Sequence, residues 1–222
     1  MHKPRHAIDI ARVPPDDTEA LLRLYIDLFH DREPLTKWCG LSKERMLEVA
    51  RSIYLRGDSN PLAQGLCWMA RDRSASSQAV GFIVCDDPAA EGHQQVPENV
   101  TPAEQEKISV MLALLDDVRE PVKDRIGSEP GQCLHIAALA VTPGYEGAGI
   151  ATRLLQTAIA DAAARGFVHA FAECTSVASR KCHEKAGFQH LHSVTTGAFG
   201  AGDGTRPFSD IHTDIFLLWK EW

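Results

Sequence analysis

The 222-residue chain has no apolar run approaching the roughly 18 residues that a membrane-spanning helix requires. It also lacks a basic run. The net charge is −7, which argues against a nucleic-acid groove and mildly favours cationic partners. The opening Met1-His2-Lys3-Pro4-Arg5-His6 carries no apolar signal-peptide core, so a cytoplasmic location is expected, with no membrane association. None of the six cysteines (Cys39, Cys67, Cys85, Cys133, Cys174, Cys182) falls at CxxC or other zinc spacing. They are therefore expected to be reduced thiols filling core space, and no metal is expected. The pair His190 and His192 fits an alternating strand better than a metal site. There is no internal repeat, low-complexity tract or linker, which leaves one domain over 1–222 as the simplest organisation. Composition is ordinary for a globular protein, at 44% apolar and 24% charged.

Hydrophobic periodicity supplies the elements that are present. Ala7–Val13 reads as a first strand, followed by a helix with Leu21, Leu22, Tyr25, Leu28 and Phe29 at helical spacing. Asp16 and Glu19 form a cap signal for that helix, which must stop before Pro34. Ser42 opens a second helix. Leu66–Arg71 and Ala79–Cys85 read as a hairpin, and Asp86–Asn99 as an acidic loop. Thr101-Pro102-Ala103-Glu104 combines a cap, a proline at the first helical position and a capping-box glutamate. The helix it opens carries Ile108, Met111, Leu112, Leu115, Val118 and Val122 on one face. A strand ending at Val141, a helix over 150–165, a strand over 167–174, a helix over 176–186 and strands near 188–195 and 212–219 follow. The expected order is β-α-α-β-β-α-β-α-β-α-β-β, a mixed sheet flanked by helices.

The segment Leu134–Leu155 is the most informative. A buried strand runs into the turn Thr142–Gly149 and then an amphipathic helix, leaving unpaired N–H groups at a helix N-terminus that suit a phosphate-bearing ligand. A dinucleotide fingerprint would need a third glycine where Thr152 stands, although Glu173 at the end of the next strand could imitate its ribose-binding acid. The five residues Thr142–Glu146 also separate the strand from Gly147. No Gly-Lys-Ser/Thr follows, which excludes a P-loop.

Val141-Thr142-Pro143, Gly149-x-Ala151 and Leu154-Leu155 resemble the first signature of the GNAT N-acetyltransferase superfamily, Gln/Arg-x-x-Gly-x-Gly/Ala after a strand and before a Leu-Leu helix. Glu184-Lys185-Ala186-Gly187-Phe188 resembles its second signature. Glu146 departs from the pattern, standing where Gln or Arg is usual; the backbone donors survive, and Arg153 is a candidate to compensate. A narrower resemblance, to insect-type arylalkylamine (dopamine) N-acetyltransferases, rests on three features. These are Phe29-His30-Asp31-Arg32-Glu33-Pro34-Leu35, the helix inserted at 101–125, and the tail from Phe199 through Gly204-Thr205-Arg206-Pro207-Phe208 to His212. Arg32 replaces the Asp expected before Glu33, with Asp31 displaced by one position.

The resemblance implies a GNAT fold, an α/β architecture built on a central, twisted, mostly antiparallel mixed sheet of about seven strands. It implies acetyl-CoA as cosubstrate and a small primary amine as acceptor, an arylalkylamine or a polyamine. The amine would attack directly in a ternary complex. An aliphatic ammonium costs roughly 4–5 kcal/mol to deprotonate at neutral pH, so a base is needed. Glu33 aligns with the proposed base of the insect-type enzymes. His135 is the runner-up, at the place of a proposed histidine base in vertebrate arylalkylamine enzymes and, by strand alternation, on one face with Ala137, Leu139 and Val141. His183 stands where many members carry a tyrosine thought to protonate the leaving thiolate. Leu139, Ala140 and Val141 would hold the pantetheine arm and donate N–H groups to the oxyanion. Glu146, Gly147, Ala148, Gly149, Ile150, Ala151 and Thr152 would form the pyrophosphate turn. Ser176 and Ser179 would contact CoA, with Thr175 beside them. Neither Cys174 nor Cys182 is paired with a base, which speaks against an acyl-enzyme. Phe29, Trp38, Phe199 and Phe208 are candidate walls of an aryl pocket, or core. Two alternatives stay open: an acceptor that is a protein N-terminus or lysine, and a non-catalytic acyl-CoA-binding sensor. A homodimer is an admissible assembly.

Overall fold

A computed structural model describes residues 7–55, 60–90, 100–126, 129–202 and 204–222. Residues 1–6 and the 91–99 portion of the acidic loop lie outside the described residues. Seven strands form one sheet: β1 (Ile8–Arg12), β2 (Trp68–Asp72), β3 (Gln78–Asp86), β4 (Cys133–Val141), β5 (His169–Cys174), β6 (Gln189–Thr195) and β7 (Asp214–Glu221). Their spatial order is β1-β2-β3-β4-β5-β7-β6, and every neighbouring pair is antiparallel except β4 with β5. This is the GNAT fold expected from the sequence. It differs from a dinucleotide-binding sheet, whose strands are mostly parallel.

The helices are α1 (Thr18–Phe29), α2 (Pro34–Cys39), α3 (Lys43–Tyr54), α4 (Pro102–Arg119), α5 (Ile150–Ala164) and α6 (Val177–Lys185). Ser42 caps α3 through the Arg45 N–H, and Thr101 and Glu104 close the full capping box of α4. The cap expected for α1 takes another form. Asp17 occupies the cap position without bonding the helix, its carboxylate being held instead by Arg71 at 2.9 Å. Glu19 is likewise drawn to Arg51 and Arg23. Long-range guanidinium partners thus outcompete a local cap. The α2 helix, which lies between the two helices expected from the sequence, is set by Glu33 at its cap, Pro34 at its first position and Gly40 at φ +69° after its end.

Three apolar clusters surround the sheet. The first joins α5 to the strands through Leu154, Leu155, Ala158, Leu134 and Ile136. The second, on the opposite face, brings α1 and α3 onto Phe82, Val84 and Ala138. The third packs Leu114 and Val118 of α4 against Phe171, Phe208, Leu217 and Trp219. All six cysteines are free thiols, five of them buried. Among the described residues no helix is long and apolar enough to cross a membrane.

Candidate active site

The site begins where β4 and β5 part. They pair only over Cys133–His135 and His169–Phe171, so the edge of β4 that faces β5 has no strand partner from Ile136 onwards. Backbone groups on that edge face a V-shaped gap that an extended, amide-bearing ligand fits. On its other side, β4 pairs Ala138 with Val84 and Ile136 with Cys85, which leaves Ala137 as a bulge. The bulge shifts the side-chain alternation by one residue. Leu139 and Val141 therefore share the α5 side with Leu134 and Ile136, whereas Ala138 and Ala140 face α1 and α3. The single face expected for His135, Ala137, Leu139 and Val141 does not exist, because simple alternation cannot register a bulge.

The turn after β4 ends at Gly149, at φ +76°, with Gly147 at φ +74°; both conformations favour glycine. The N–H groups of residues 147–152 bond to no other group among the described residues, as the first turn of a helix requires. Glu146 folds back on this turn, accepting from the Gly144 N–H at 3.0 Å and from Arg32 Nη2 at 3.2 Å. Those contacts hold its carboxyl below the usual range. Arg153 instead donates to the Ile8 carbonyl at 3.2 Å.

A cavity of about 710 Å³ runs from this gap to the helices on the far side of the sheet. Leu139, Ala140, Val141, Glu146, Ala151, Ser176, Ser179, Cys182 and His183 line its β4–β5 end. Tyr25 and Phe29 of α1, Tyr54 of α3, and Ile108, Met111 and Leu115 of α4 line the other. Tyr25 stacks on Phe29 with centroids 4.6 Å apart and meets Tyr54 edge-on at 5.9 Å. Of the four aromatic residues singled out from the sequence, only Phe29 reaches the cavity. Trp38, Phe199 and Phe208 form a separate cluster under α2, where Trp38 Nε1 donates to the Pro207 carbonyl at 2.9 Å.

Glu33 lines the cavity at the start of α2. Its Oε1 and Oε2 accept the N–H groups of Leu35 at 3.1 Å and Thr36 at 2.6 Å. These bonds fix the carboxylate without neutralising it, and among the described residues no cation pairs with it.

His135 is buried at the apex of the V. Its Nδ1 donates to Asp86 Oδ1 at 3.0 Å and its Nε2 to Glu173 Oε2 at 2.9 Å, while the ring stacks on Phe171 at 4.6 Å. Arg119, from the end of α4, binds the other oxygen of Glu173 through Nε. Burial disfavours the imidazolium, but the two carboxylates outweigh it and raise His135 to about 9. Glu173 is pulled well below the carboxylate range by His135 and Arg119 despite its burial. Sequence reasoning singled out His135 and Glu173 for separate roles and missed their joining with Asp86 and Arg119, because the four lie on β3, β4, β5 and α4.

His183, from α6, is buried at the β4–β5 end of the cavity. Its Nδ1 donates to the Ser179 carbonyl at 2.9 Å, which leaves the lone pair on Nε2, an atom with no hydrogen-bond partner among the described residues. Burial lowers its pKa, so the resting ring is neutral. Ser176 caps α6 through the Ser179 N–H at 3.1 Å, and Ser179 Oγ bonds Cys174 Sγ at 3.3 Å. Burial pushes the Cys174 thiol up to about 12, far from the thiolate a nucleophile requires. Among the described residues no cluster of His, Cys, Asp and Glu has a metal-site geometry.

Solved structures share this architecture. The C-terminal condensation domain of Ebony, in complex with β-alanyl-dopamine, superposes with a TM-score of 0.80 at 14% identity, covering 98% of this chain and all of that one. Mosquito arylalkylamine N-acetyltransferase-like 5b gives 0.71 at 22% identity over 97% of this chain and all of that one. The Drosophila melanogaster polyamine N-acetyltransferase that forms N-acetylagmatine gives 0.71 at 18% identity, again over 97% of this chain and all of that one. At such identities the likeness concerns the fold. The sequence itself goes further: residues 48–188, more than half of the chain, match the model of the acetyltransferase (GNAT) family. With the split β4–β5 pair, the donor-rich turn and that match in agreement, the chain belongs to the GNAT acetyltransferase family.

Proposed function

We propose that this protein transfers an acetyl group from acetyl-CoA to the primary amine of a small arylalkylamine, by direct attack in a ternary complex. The observation that carries this reading is the continuity of one cavity. Its β4–β5 end borders the free edge of β4, suited to a pantetheine arm, and adjoins the 147–152 turn through Glu146 and Ala151; its other end is an apolar region walled by Tyr25, Phe29 and Tyr54. The unpaired N–H groups of residues 147–152 fit the diphosphate, whereas Glu146 alone has the wrong charge for it. Acetyl-CoA supplies the activated acyl thioester; the chain supplies position and proton handling.

Glu33 is the base of this reading. It is the cavity carboxylate without a cationic partner among the described residues, and α2 orients it. His135 is less suited, because both ring nitrogens already donate to carboxylates and no lone pair is free. Leu139–Val141 present N–H donors along the free edge to the thioester carbonyl. Glu33 takes the proton of the incoming ammonium, and the second proton that the nitrogen loses as the amide forms passes to the free lone pair of His183 Nε2 and from it to the leaving thiolate. The high thiol pKa of Cys174 supports attack without an acyl-enzyme. Ebony's domain binds β-alanyl-dopamine, an N-acylated arylalkylamine, in the same fold, which supports this acceptor class. Free thiols throughout suit a reducing cytoplasm.

The test is thiol release from acetyl-CoA over a panel of amines, beside calorimetric titration with CoA. CoA binding with release on arylalkylamines is expected. Binding without turnover on any acceptor would make the protein an acyl-CoA sensor, and turnover confined to peptides would make it a protein acetyltransferase.

A further inference from the structure

Among the described residues, the carboxylates that line the cavity are Glu33, Asp86, Glu146 and Glu173. Three of them are already held by cations of the chain. Glu146 meets Arg32; Asp86 meets the protonated His135; Glu173 is shared by His135 and Arg119. The two inner carboxylates are nearly closed to water, with side chains 5% exposed, and they are balanced one for one by His135 and Arg119. Taking such charges out of water is costly unless each finds its partner. The chain Asp86–His135–Glu173–Arg119 meets that requirement internally and leaves no net charge for a ligand to complete.

We infer that this chain is a selectivity device for the acceptor: it cancels the inner carboxylates of the cavity and so rejects amines that bear a second cationic group, while monoamines with a neutral body are admitted. The inference rests on the amine-acetyltransferase reading above. One ammonium finds Glu33. A second, a few ångströms along a diamine, meets either the apolar wall of Ile108, Met111 and Leu115 or carboxylates already matched by cations. It would lose its hydration without gaining a counter-charge. Arg119 is a positioning residue in this scheme. It lies at the cavity surface on the last turn of α4, and its removal leaves the shared carboxylate with one cation in place of two.

The test compares kcat/KM for 2-phenylethylamine and 1,4-diaminobutane in the wild-type protein, Arg119→Gln and Arg119→Lys. The wild type should favour the monoamine. Arg119→Gln should shift the ratio towards the diamine by at least about tenfold, chiefly through a lower KM for the diamine, and Arg119→Lys should restore the wild-type ratio. A merely structural role would lower both activities together and leave the ratio unchanged, which would overturn the inference. So would a wild type that uses the diamine as well as the monoamine, a result that holds even if Arg119→Gln fails to fold. No turnover of the wild type on any amine would defeat the functional reading and this inference with it, whereas turnover with an unmoved ratio defeats this inference alone.

Discussion

Arg32 and Glu146, 114 positions apart in sequence, meet as an ion pair with Nη2 and Oε1 3.2 Å apart. Each departs in charge from a motif this chain otherwise follows, and the fold places them together. The loop after α1 carries the cation and the turn after β4 carries the anion, so the acidic intrusion beside the N–H-rich turn is offset from across the cavity mouth. Both side chains are about half exposed, so the pair adds little to stability. Its effect belongs to binding. Glu146→Gln should tighten CoA binding by about threefold, in keeping with roughly 0.3–1 kcal/mol for an exposed charge at a helix N-terminus. Arg32→Ala should weaken it to a similar extent, with thermal midpoints unmoved. Calorimetric titration of both variants and the double variant checks this; equal affinities throughout would refute it.

Glu33 caps α2 and, in the proposed reading, is also the base, two functions that substitution can separate. Glu33→Gln keeps an oxygen to cap α2 but removes the base, so kcat should fall by about 10²–10⁴-fold with CoA affinity unchanged. Glu33→Ala should lose the same activity and a further ~1 kcal/mol of stability through the missing cap. Steady-state rates with denaturant titrations distinguish the two losses. Full activity in Glu33→Gln would exclude Glu33 as the base.

The buried His135 gives stability a defined pH dependence. Its pKa is raised on folding, so its contribution is complete below the ordinary histidine value of 6.5 and is lost as pH rises through about 9. Glu173 is lowered, so its contribution is complete above the ordinary carboxylate value of 4.5 and is lost only as pH falls well below it. Stability should therefore be greatest between about 4.5 and 6.5 with respect to this chain and decline towards pH 9, by on the order of 2–3 kcal/mol. Denaturant titrations across that range should show the decline in the wild type and a flatter alkaline limb in His135→Gln.

Gly149 meets the helix dipole of α5 with φ at +76°, and a Cβ there would touch nothing within 4 Å. Gly149→Ala thus isolates backbone strain from crowding. A destabilisation of roughly 1–2 kcal/mol is expected, or about 2–4 °C per kcal/mol in a chain of this size. CoA affinity should fall as the turn relaxes. An unshifted midpoint would mean that the turn adopts another conformation.

Much of this fold was legible because its signals are local. The capping box at Thr101–Glu104, the glycines that end α5 and α6, and the continuous apolar run of β3 each act within a few positions of chain. Both family signatures are short and local for the same reason. The α2 helix escaped notice because six residues are too few for a period, although Glu33-Pro34 before it and Gly40 after it marked its ends. The bulge at Ala137 was invisible because it arises from the register with β3, and it moved Leu139 and Val141 to the face opposite the one expected.

Local sequence sets the order of the elements apart from α2, the donor-rich turn at 147–152 and the class of ligand that such a turn suits, since backbone conformation and helix-end N–H groups follow from nearby residues. Which charges meet depends on the packing of distant elements. Arg32 found Glu146, and Arg119, Glu173, His135 and Asp86 closed into one chain across four elements. Coulomb interactions depend on distance in space, and in a low-dielectric interior they decide protonation. His135 could therefore be named from the sequence, but its state as a doubly bonded imidazolium is set by residues brought to it by the fold.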